Sequence, residues 1–383
     1  MASIVETAPL VLDVGVVLMA AATSGLVARR VGLPAIVGYL LVGLLVSPFT
    51  PGFVADKNQL ALLADIGVVL LLFEVGIEID LKRIRREHNA LLWAAPSQLL
   101  IGVLIGTPIF LLLDIPILGA LLLALSLAMS SSVVIVNITR SRRRTTNSET
   151  EESLLGWSVL QDLVGVAAAA IILTFFGNSE KTLIASLGGL IGFVLFAILC
   201  AKVLPRLLRI VRWEKDLFLI YSVAIGLTIA ALGTVLFDIP MALASFVAGL
   251  SITQSRDTDE VRKAVLPFKD LFQVLFFVVV GSLVNPELVV DALPFAALLI
   301  VLMITLKTVP AIILAHLGKL KANRPQLAVG LSQIGEFSFV LGGSALAAGA
   351  ITDTQFTAIL MAVIASIIIS TLAVRPLGRK LSS

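Results

Sequence analysis

The sequence predicts an all-α polytopic membrane protein of thirteen transmembrane helices, arranged as inverted six-helix repeats with two broken helices. Three observations lead there. The 383 residues are 58% hydrophobic and only 14% charged, with mean hydropathy +1.07, whereas soluble domains are about 45–50% apolar and about 25% charged. Lys and Arg fall on one side of an alternating series of apolar segments. Two segments of the first half recur in the second. Composition therefore excludes a water-soluble enzyme with one ordinary core, and the segments leave no room for a soluble domain beside them.

A span needs about 20 apolar residues to cross about 30 Å of hydrocarbon. The segments run near 10–28, 33–49, 59–77, 90–113, 116–138, 153–176, 182–203, 216–237, 239–254, 267–284, 289–315, 325–349 and 353–375. The first is too long for a cleaved signal peptide, and its flank carries Glu6 with no Lys or Arg. Positive residues stay on the cytoplasmic side. Of the 28 Lys and Arg, all but Lys57, Lys181 and Lys307 lie in odd-numbered loops, at their flanking span ends, or in the C-terminal tail. This predicts an N-terminus outside and a C-terminus in the cytoplasm, with the chain in the plasma membrane. Lys82–Arg86 and Arg142–Arg144 are then topology determinants and not nucleic-acid patches. Thr145–Ser153 reads as a short acidic-polar linker. The single cysteine, Cys200, excludes a disulfide framework and a Cys-based metal site.

Pro34-Ala-Ile-Val-Gly-Tyr-Leu-Leu-Val-Gly43 resembles Pro240-Met-Ala-Leu-Ala-Ser-Phe-Val-Ala-Gly249, and Phe73-Glu-Val-Gly-Ile-Glu-Ile-Asp80 resembles Val278-Val-Val-Gly-Ser-Leu-Val-Asn285. The match pairs spans 2 and 3 with spans 9 and 10. A shift of seven spans, being odd, turns the second copy upside down in the bilayer. That is the pattern of an inverted-repeat secondary transporter, whose site lies near the midplane. The expected organisation is a single transmembrane domain over 1–383. Repeat one covers about 10–176, a linker helix about 182–203, and repeat two about 216–375, with no soluble C-terminal domain.

Charge in hydrocarbon costs several kcal/mol, so the few charged residues within spans are informative. Asp162 sits about nine residues into span 6, about 14 Å deep at 1.5 Å per residue, with Gln161 before it. Lys307 lies deep in span 11 and Glu336 near the middle of span 12. Asp13, Asp65 and Glu74 are nearer span ends. Glu78 and Asp80 close span 3, where a helix-end role outweighs cation capture. Span 5 contains Ser130-Ser131-Ser132 and span 12 contains Ser332-Gln333-Ile334-Gly335-Glu336. The repeat pairs these two spans, and polar or Gly-interrupted segments at matching positions point to broken helices around a site. Ser130–Ser132 could instead serve packing, Lys307 a structural pair with Asp162, and Glu336 compensation of the positive half-helix ends.

These motifs resemble those of the monovalent cation:proton antiporters, in the branch of the bacterial potassium-efflux (Kef-type) antiporters and the spore-germination antiporter. Gly32 to Leu44 is similar to that family's second span, and Phe73–Asp80 to its Phe-x-x-Gly-Leu-Glu-x-Asp stretch, with Ile77 in place of Leu. Ser130–Ser132 resembles the Ser-Ser-Thr of its first broken helix, Gln161-Asp162 its ion-site pair, and Ser332-Gln333-x-Gly335-Glu336-Phe337 its second broken helix. Pro267-Phe268-Lys269 and Leu275-Phe276-Phe277 match its tenth span. The resemblance implies the NhaA-like antiporter fold, a dimer-forming panel domain, a moving core domain that holds the two broken helices crossed, and Asp162 binding cation and proton alternately. Glutathione-gated members carry a cytoplasmic nucleotide-binding domain and an acidic loop before span 10. This sequence stops at Ser383 and reads Asp257 to Leu266 there, so it is either a stand-alone membrane transporter or one from which that domain was removed; the resemblance does not carry glutathione or nucleotide gating over, and a separate cytoplasmic regulatory subunit stays open.

The expected function is thus exchange of K⁺, or next Na⁺, for H⁺, one for one and electroneutral, by alternating access. Ionised Asp162, the Gln161 amide oxygen, Ser130, Ser131 and Ser132 hydroxyls and freed carbonyls would replace the ion's water. Lys307, Glu336, Gln333 and Gly335 would compensate charge or shape the breaks. No cofactor is implied; the ions are substrates. The rivals are a Na⁺-selective antiporter, a cation channel, which needs a continuous filter, an anion carrier, which a midplane acid opposes, and a lipid-modifying enzyme, for which no catalytic set is present.

Overall fold

A computed structural model describes residues 4–47, 57–78, 89–140, 145–177, 183–237, 239, 241–253 and 258–379. Their regular structure is helical throughout. In chain order the helices are α1 (Ile4–Val31), α2 (Ala35–Leu45), α3 (Lys57–Glu78), α4 (Leu91–Leu111), α5 (Ile117–Ala128), α6 (Ser132–Arg140), α7 (Ser148–Phe176) and α8 (Leu183–Val211). They continue with α9 (Lys215–Phe237), α10 (Met241–Leu250), α11 (Thr258–Ser282), α12 (Val289–Met303), α13 (Val309–Leu317), α14 (Arg324–Leu331), α15 (Phe337–Ala347) and α16 (Asp353–Arg379). Among the described residues eight helices are long and apolar enough to cross a membrane, and α2, α5 and α15 are shorter apolar helices. The runs Lys82–Arg86 and Arg142–Arg144, the Glu78 side chain, Asp80 and Pro240 lie outside the described residues.

Three boundaries differ from the sequence expectation. The region read as a linker, 145–153, is helical from Ser148, because the Asn147 side chain accepts from Thr150 N at 2.9 Å and Glu149 and Glu151 sit in the first turn, where acids complement the helix dipole. The stretch before span 10 is helical from Thr258 for the same reason, with Asp259 and Glu260 in its first turn. Span 11 is not one α-helix: a π turn over Ile304–Thr308 separates α12 from α13. Pro310, at the start of α13, has no N–H to give the carbonyl four residues back, and a wider turn accommodates the defect. Spans 5 and 12 are each interrupted, between α5 and α6 and between α14 and α15.

The chain divides into two compact units. The first comprises 1–24, 39–80 and 173–283; the second comprises 25–38, 81–172 and 284–383. The core of the first unit gathers Leu70, Phe73 and Ile77 of α3, Leu204 and Leu208 of α8, Phe218 and Ile225 of α9, and Val261 and Val265 of α11. Cys200 is buried in the same core. Glu74 is buried there too, and its carboxylate accepts from Arg262 Nε at 2.8 Å. Two glycine crossings set its helix spacing. A Cβ on Gly43 of α2 would lie 2.8 Å from Gly281 Cα of α11, and one on Gly249 of α10 would fall on the Phe73 carbonyl and lie 2.8 Å from Gly76 Cα of α3. The core of the second unit gathers Leu91, Ala94 and Ala95 of α4, Ile135 of α6, Leu154, Trp157 and Leu160 of α7, Leu314 of α13, and Leu327 and Leu331 of α14.

Since backbone and not a flexible side chain opposes Gly249, a larger residue there must push α3 and α10 apart. Gly249→Leu is expected to cost at least about 1–3 kcal/mol, the usual range for overpacking. Thermal unfolding of the purified protein in detergent checks this, and Gly249→Leu should melt measurably lower than an exposed control such as Gly188→Leu, where a Cβ meets nothing.

Candidate functional site

The second unit holds both helix breaks. Helix α5 ends because Met129 turns extended, at φ −87° and ψ 140°. Ser131 then caps α6, its hydroxyl oxygen accepting from Val134 N at 3.2 Å. Helix α14 ends at Ser332, at φ −80° and ψ 61°, and α15 resumes at Phe337. Backbone freed in this way must find partners within protein, and the two breaks supply them to each other. Gly335 N donates to Met129 O at 3.1 Å, Ser131 N to Gln333 Oε1 at 2.7 Å, and the Ser130 hydroxyl to Leu331 O at 2.9 Å. Gln333 Nε2 donates to Ser131 O and Gly330 O, each at 3.3 Å. Only glycine fits at 335, where a Cβ would stand 2.9 Å from the Ser130 carbonyl carbon and oxygen.

Lys307 arrives from the π turn and is 1% exposed. Its ammonium donates to Met129 O and to Gln333 O, both at 2.6 Å. Those carbonyls stand just past the C-terminal ends of α5 and α14, so one cation meets two negative helix ends. The next residue, Thr308, shares a hydrogen bond with the Ser332 hydroxyl. Glu336 occupies the complementary place. It sits at the N-cap of α15, and its carboxylate accepts from the hydroxyl of Ser132, the first residue of α6, at 3.4 Å. One acid therefore lies at two positive helix ends.

Helix α7 brings Gln161 and Asp162 to the same place, at 0% and 1% exposure. Gly165, one turn beyond Asp162, packs against the Met129 side chain, which orients this face of α7 toward the first break. The Gln161 amide nitrogen donates to Ala128 O at 3.2 Å and to Gln98 Oε1, while the Gln161 amide oxygen has no hydrogen-bond partner among the described residues. The Asp162 carboxylate acts electrostatically on Lys307. All nine residues singled out in the sequence thus gather around the two breaks: Asp162, Gln161, Ser130, Ser131, Ser132, Lys307, Glu336, Gln333 and Gly335.

Sequence reasoning passed over Gln98 of α4. A lone amide inside an otherwise apolar span was the available signal. The freed carbonyls also differ in character from the expectation. Ala128 O, Met129 O, Leu331 O and Gln333 O already accept strong donors, which shifts the weight of any cation coordination to side-chain oxygens. Among the described residues no three His, Cys, Asp or Glu come together; the site holds two buried carboxylates, Asp162 on α7 and Glu336 at the second break.

The family model described as "Sodium/hydrogen exchanger, transmembrane" matches residues 16–380. YbaL of Escherichia coli (strain K12), a provisionally assigned cation/proton antiporter, is 31% identical over 363 residues, covering 90% of this chain and 64% of its own length. The chain thus spans somewhat under two thirds of that relative. The structure of the sodium proton antiporter MjNhaP1 from Methanocaldococcus jannaschii at pH 8 superposes with TM-score 0.77 at 19% identity, covering 97% of this chain and 99% of that one. An electron-microscopy structure of the same antiporter superposes with TM-score 0.62 at 18% identity, over 96% and 94%. The fold is that of these multi-pass membrane proteins.

If Lys307 pins the breaks, Lys307→Met should destabilise the protein by about 3 kcal/mol or more. Two hydrogen bonds from a charged donor are lost, each contributing about 1.5–3 kcal/mol. Thermal unfolding in detergent checks it; an unchanged transition would mean that the ammonium does not hold the breaks together.

Proposed function

The chain belongs to the sodium/hydrogen exchanger family, and on that premise we propose that it is a secondary active antiporter exchanging a monovalent cation for H⁺ by alternating access. Asp162 takes cation and proton in turn. The observation that carries this reading is one buried carboxylate on α7, set beside two helix breaks whose own charges are matched by other residues. Each half-helix end contributes roughly half an elementary charge. Lys307 answers two negative ends and Glu336 two positive ones, and Asp162, on a different helix from the breaks and matching the ion-site acid of the resembling family, is the acid to which we assign loading.

Coupling follows from electrostatics. Carrying an ionised carboxylate through a low-dielectric barrier is costly. Protonated Asp162, or Asp162 with a monovalent cation on it, is neutral. The carrier therefore crosses loaded and resists crossing empty. One carboxylate exchanges one cation for one proton, and the cycle is electroneutral. Lys307 as a second proton carrier is disfavoured by its two short hydrogen bonds, which are those of a fixed pin. Gln161 supplies an amide oxygen, with Ser130, Ser131 and Ser132 as further oxygens around the break. Gln333 and Gly335 keep the breaks in register. K⁺ is the first choice of cation, from the likeness of Gln161-Asp162 to the potassium-efflux branch, and Na⁺ the second.

The inverted repeat has support in the first unit. Aligning the repeats places Gly43 on Gly249 and Gly76 on Gly281. The two glycine crossings then exchange, Gly43 with Gly281 becoming Gly249 with Gly76. Each compact unit draws helices from both halves of the chain, and the second alone holds the breaks, which fits a static panel and a mobile core. A homodimer in the plasma membrane, with the N-terminus outside, completes the reading.

In proteoliposomes, Asp162→Asn is expected to abolish cation-driven proton flux while leaving the protein folded; retained flux would reject the assignment. Pulses of K⁺, Na⁺, Rb⁺ and Li⁺, followed with a pH-sensitive dye, rank the cations. For an electroneutral cycle the rate should not change when the membrane potential is clamped with a permeant ion. A voltage-dependent rate would assign a charge-carrying role to Lys307.

A further inference from the structure

We propose that Gln98 is a positioning residue for the ion site, fixing which end of the Gln161 amide is presented to a cation. The inference rests on the reading of Asp162 and Gln161 as cation ligands and adds a residue that reading does not contain. Gln98 is fully buried in α4. Its Oε1 accepts from Gln161 Nε2, and its own Nε2 reaches Ala128 O at 3.5 Å. Gln161 Nε2 donates to that same carbonyl at 3.2 Å. The three groups make a closed set with one polarity: both amide nitrogens face the last carbonyl of α5, and the Gln98 oxygen takes the remaining Gln161 hydrogen.

Rotating the Gln161 amide by half a turn would set its oxygen against two other oxygens, Gln98 Oε1 and Ala128 O. Rotating Gln98 would set nitrogen against nitrogen. The Gln161 amide oxygen is therefore held outward from this set, buried and without a hydrogen-bond donor among the described residues. A buried acceptor in that condition is unfavourable until something positive meets it, and a desolvated monovalent cation is such a partner. In the opposite polarity the amide would offer hydrogens, repel a cation, and donate to a carboxylate in its stead. Gln98 also helps occupy Ala128 O, which leaves the Gln161 oxygen as the neutral ligand next in sequence to Asp162. This is the role that outer residues play around metal ligands, where their loss weakens binding without removing a ligand.

The experiment uses the full chain in proteoliposomes, with proton flux measured against K⁺ concentration and again against Na⁺. Gln98→Leu, close in size but without an acceptor, should raise the half-saturating cation concentration by about tenfold while the maximal rate stays within about twofold. Gln98→Glu keeps an acceptor for Gln161 and, when protonated, a donor for Ala128 O, and should restore affinity toward the native value. Gln98→Asn withdraws the amide by one methylene and carries the same expectation as leucine should Gln98→Leu not fold. Because Gln98 acts through its partner, Gln98→Leu added to Gln161→Leu should shift the half-saturation no further. An unchanged half-saturation in both Gln98→Leu and Gln98→Asn, or a further full shift in the double variant, overturns the proposal. Asp162→Asn run in parallel separates the two failures. Flux lost there with Gln98 variants unaffected removes only the role of Gln98, whereas flux retained there removes the ion site itself.

Discussion

A helix broken inside hydrocarbon releases backbone groups that lipid cannot satisfy, and here two breaks meet over a single ammonium. Lys307 takes Met129 O and Gln333 O at 2.6 Å each. Without it, two carbonyls and two negative helix ends would share a buried space, and the unwound segments would have reason to rewind or separate. The remaining contacts between the breaks are arranged around that pin. Gly335 comes close enough to donate to the same Met129 carbonyl, the Gln333 side chain clasps Ser131 from both its donor and its acceptor end, and Glu336 answers the positive ends. The π turn that carries Lys307 belongs to the same solution. It follows from the missing N–H of Pro310 and turns a stretch of span 11 toward the breaks.

This arrangement separates two tasks that the sequence appeared to mix. The serines and the freed carbonyls look like ligands when read along the chain, but most of their hydrogen-bonding capacity goes into joining one break to the other. Under the proposed reading, the set that meets an ion is smaller, the Asp162 carboxylate and a buried amide oxygen of Gln161. On that reading, a rigid frame with a small ligand set suits a carrier that must release its cargo on each side. Binding that is too complete would hold the cation, and a fixed frame limits the loss of order on each loading step.

Much of the fold was legible because the bilayer is a severe solvent. It demands long apolar segments, forbids unmatched charge and sorts Lys and Arg by side, so composition and spacing alone located the helices and drew attention to Asp162, Lys307 and Glu336. The two breaks were legible for a related reason: Ser130-Ser131-Ser132 and Gln333 to Glu336 are polar stretches where only backbone in need of partners would tolerate them. The helical starts at Ser148 and Thr258 were not recognised, since acidic caps outside the hydrocarbon resemble linkers in composition. Gln98 was passed over because one amide in an apolar span has many possible uses, and nothing along the chain ties it to a residue 63 positions away.

The sequence by itself determined that the chain is a membrane protein of many helices, which acids and bases are buried, and where the helices must break, because each of these is a local cost set against hydrocarbon. Tertiary structure alone decided what those residues do to one another. That Lys307 donates to two carbonyls, and that the nitrogen end of the Gln161 amide is the one bound to Gln98 and Ala128, depends on atoms brought within about 3 Å by packing, and no one-dimensional pattern carries that distance.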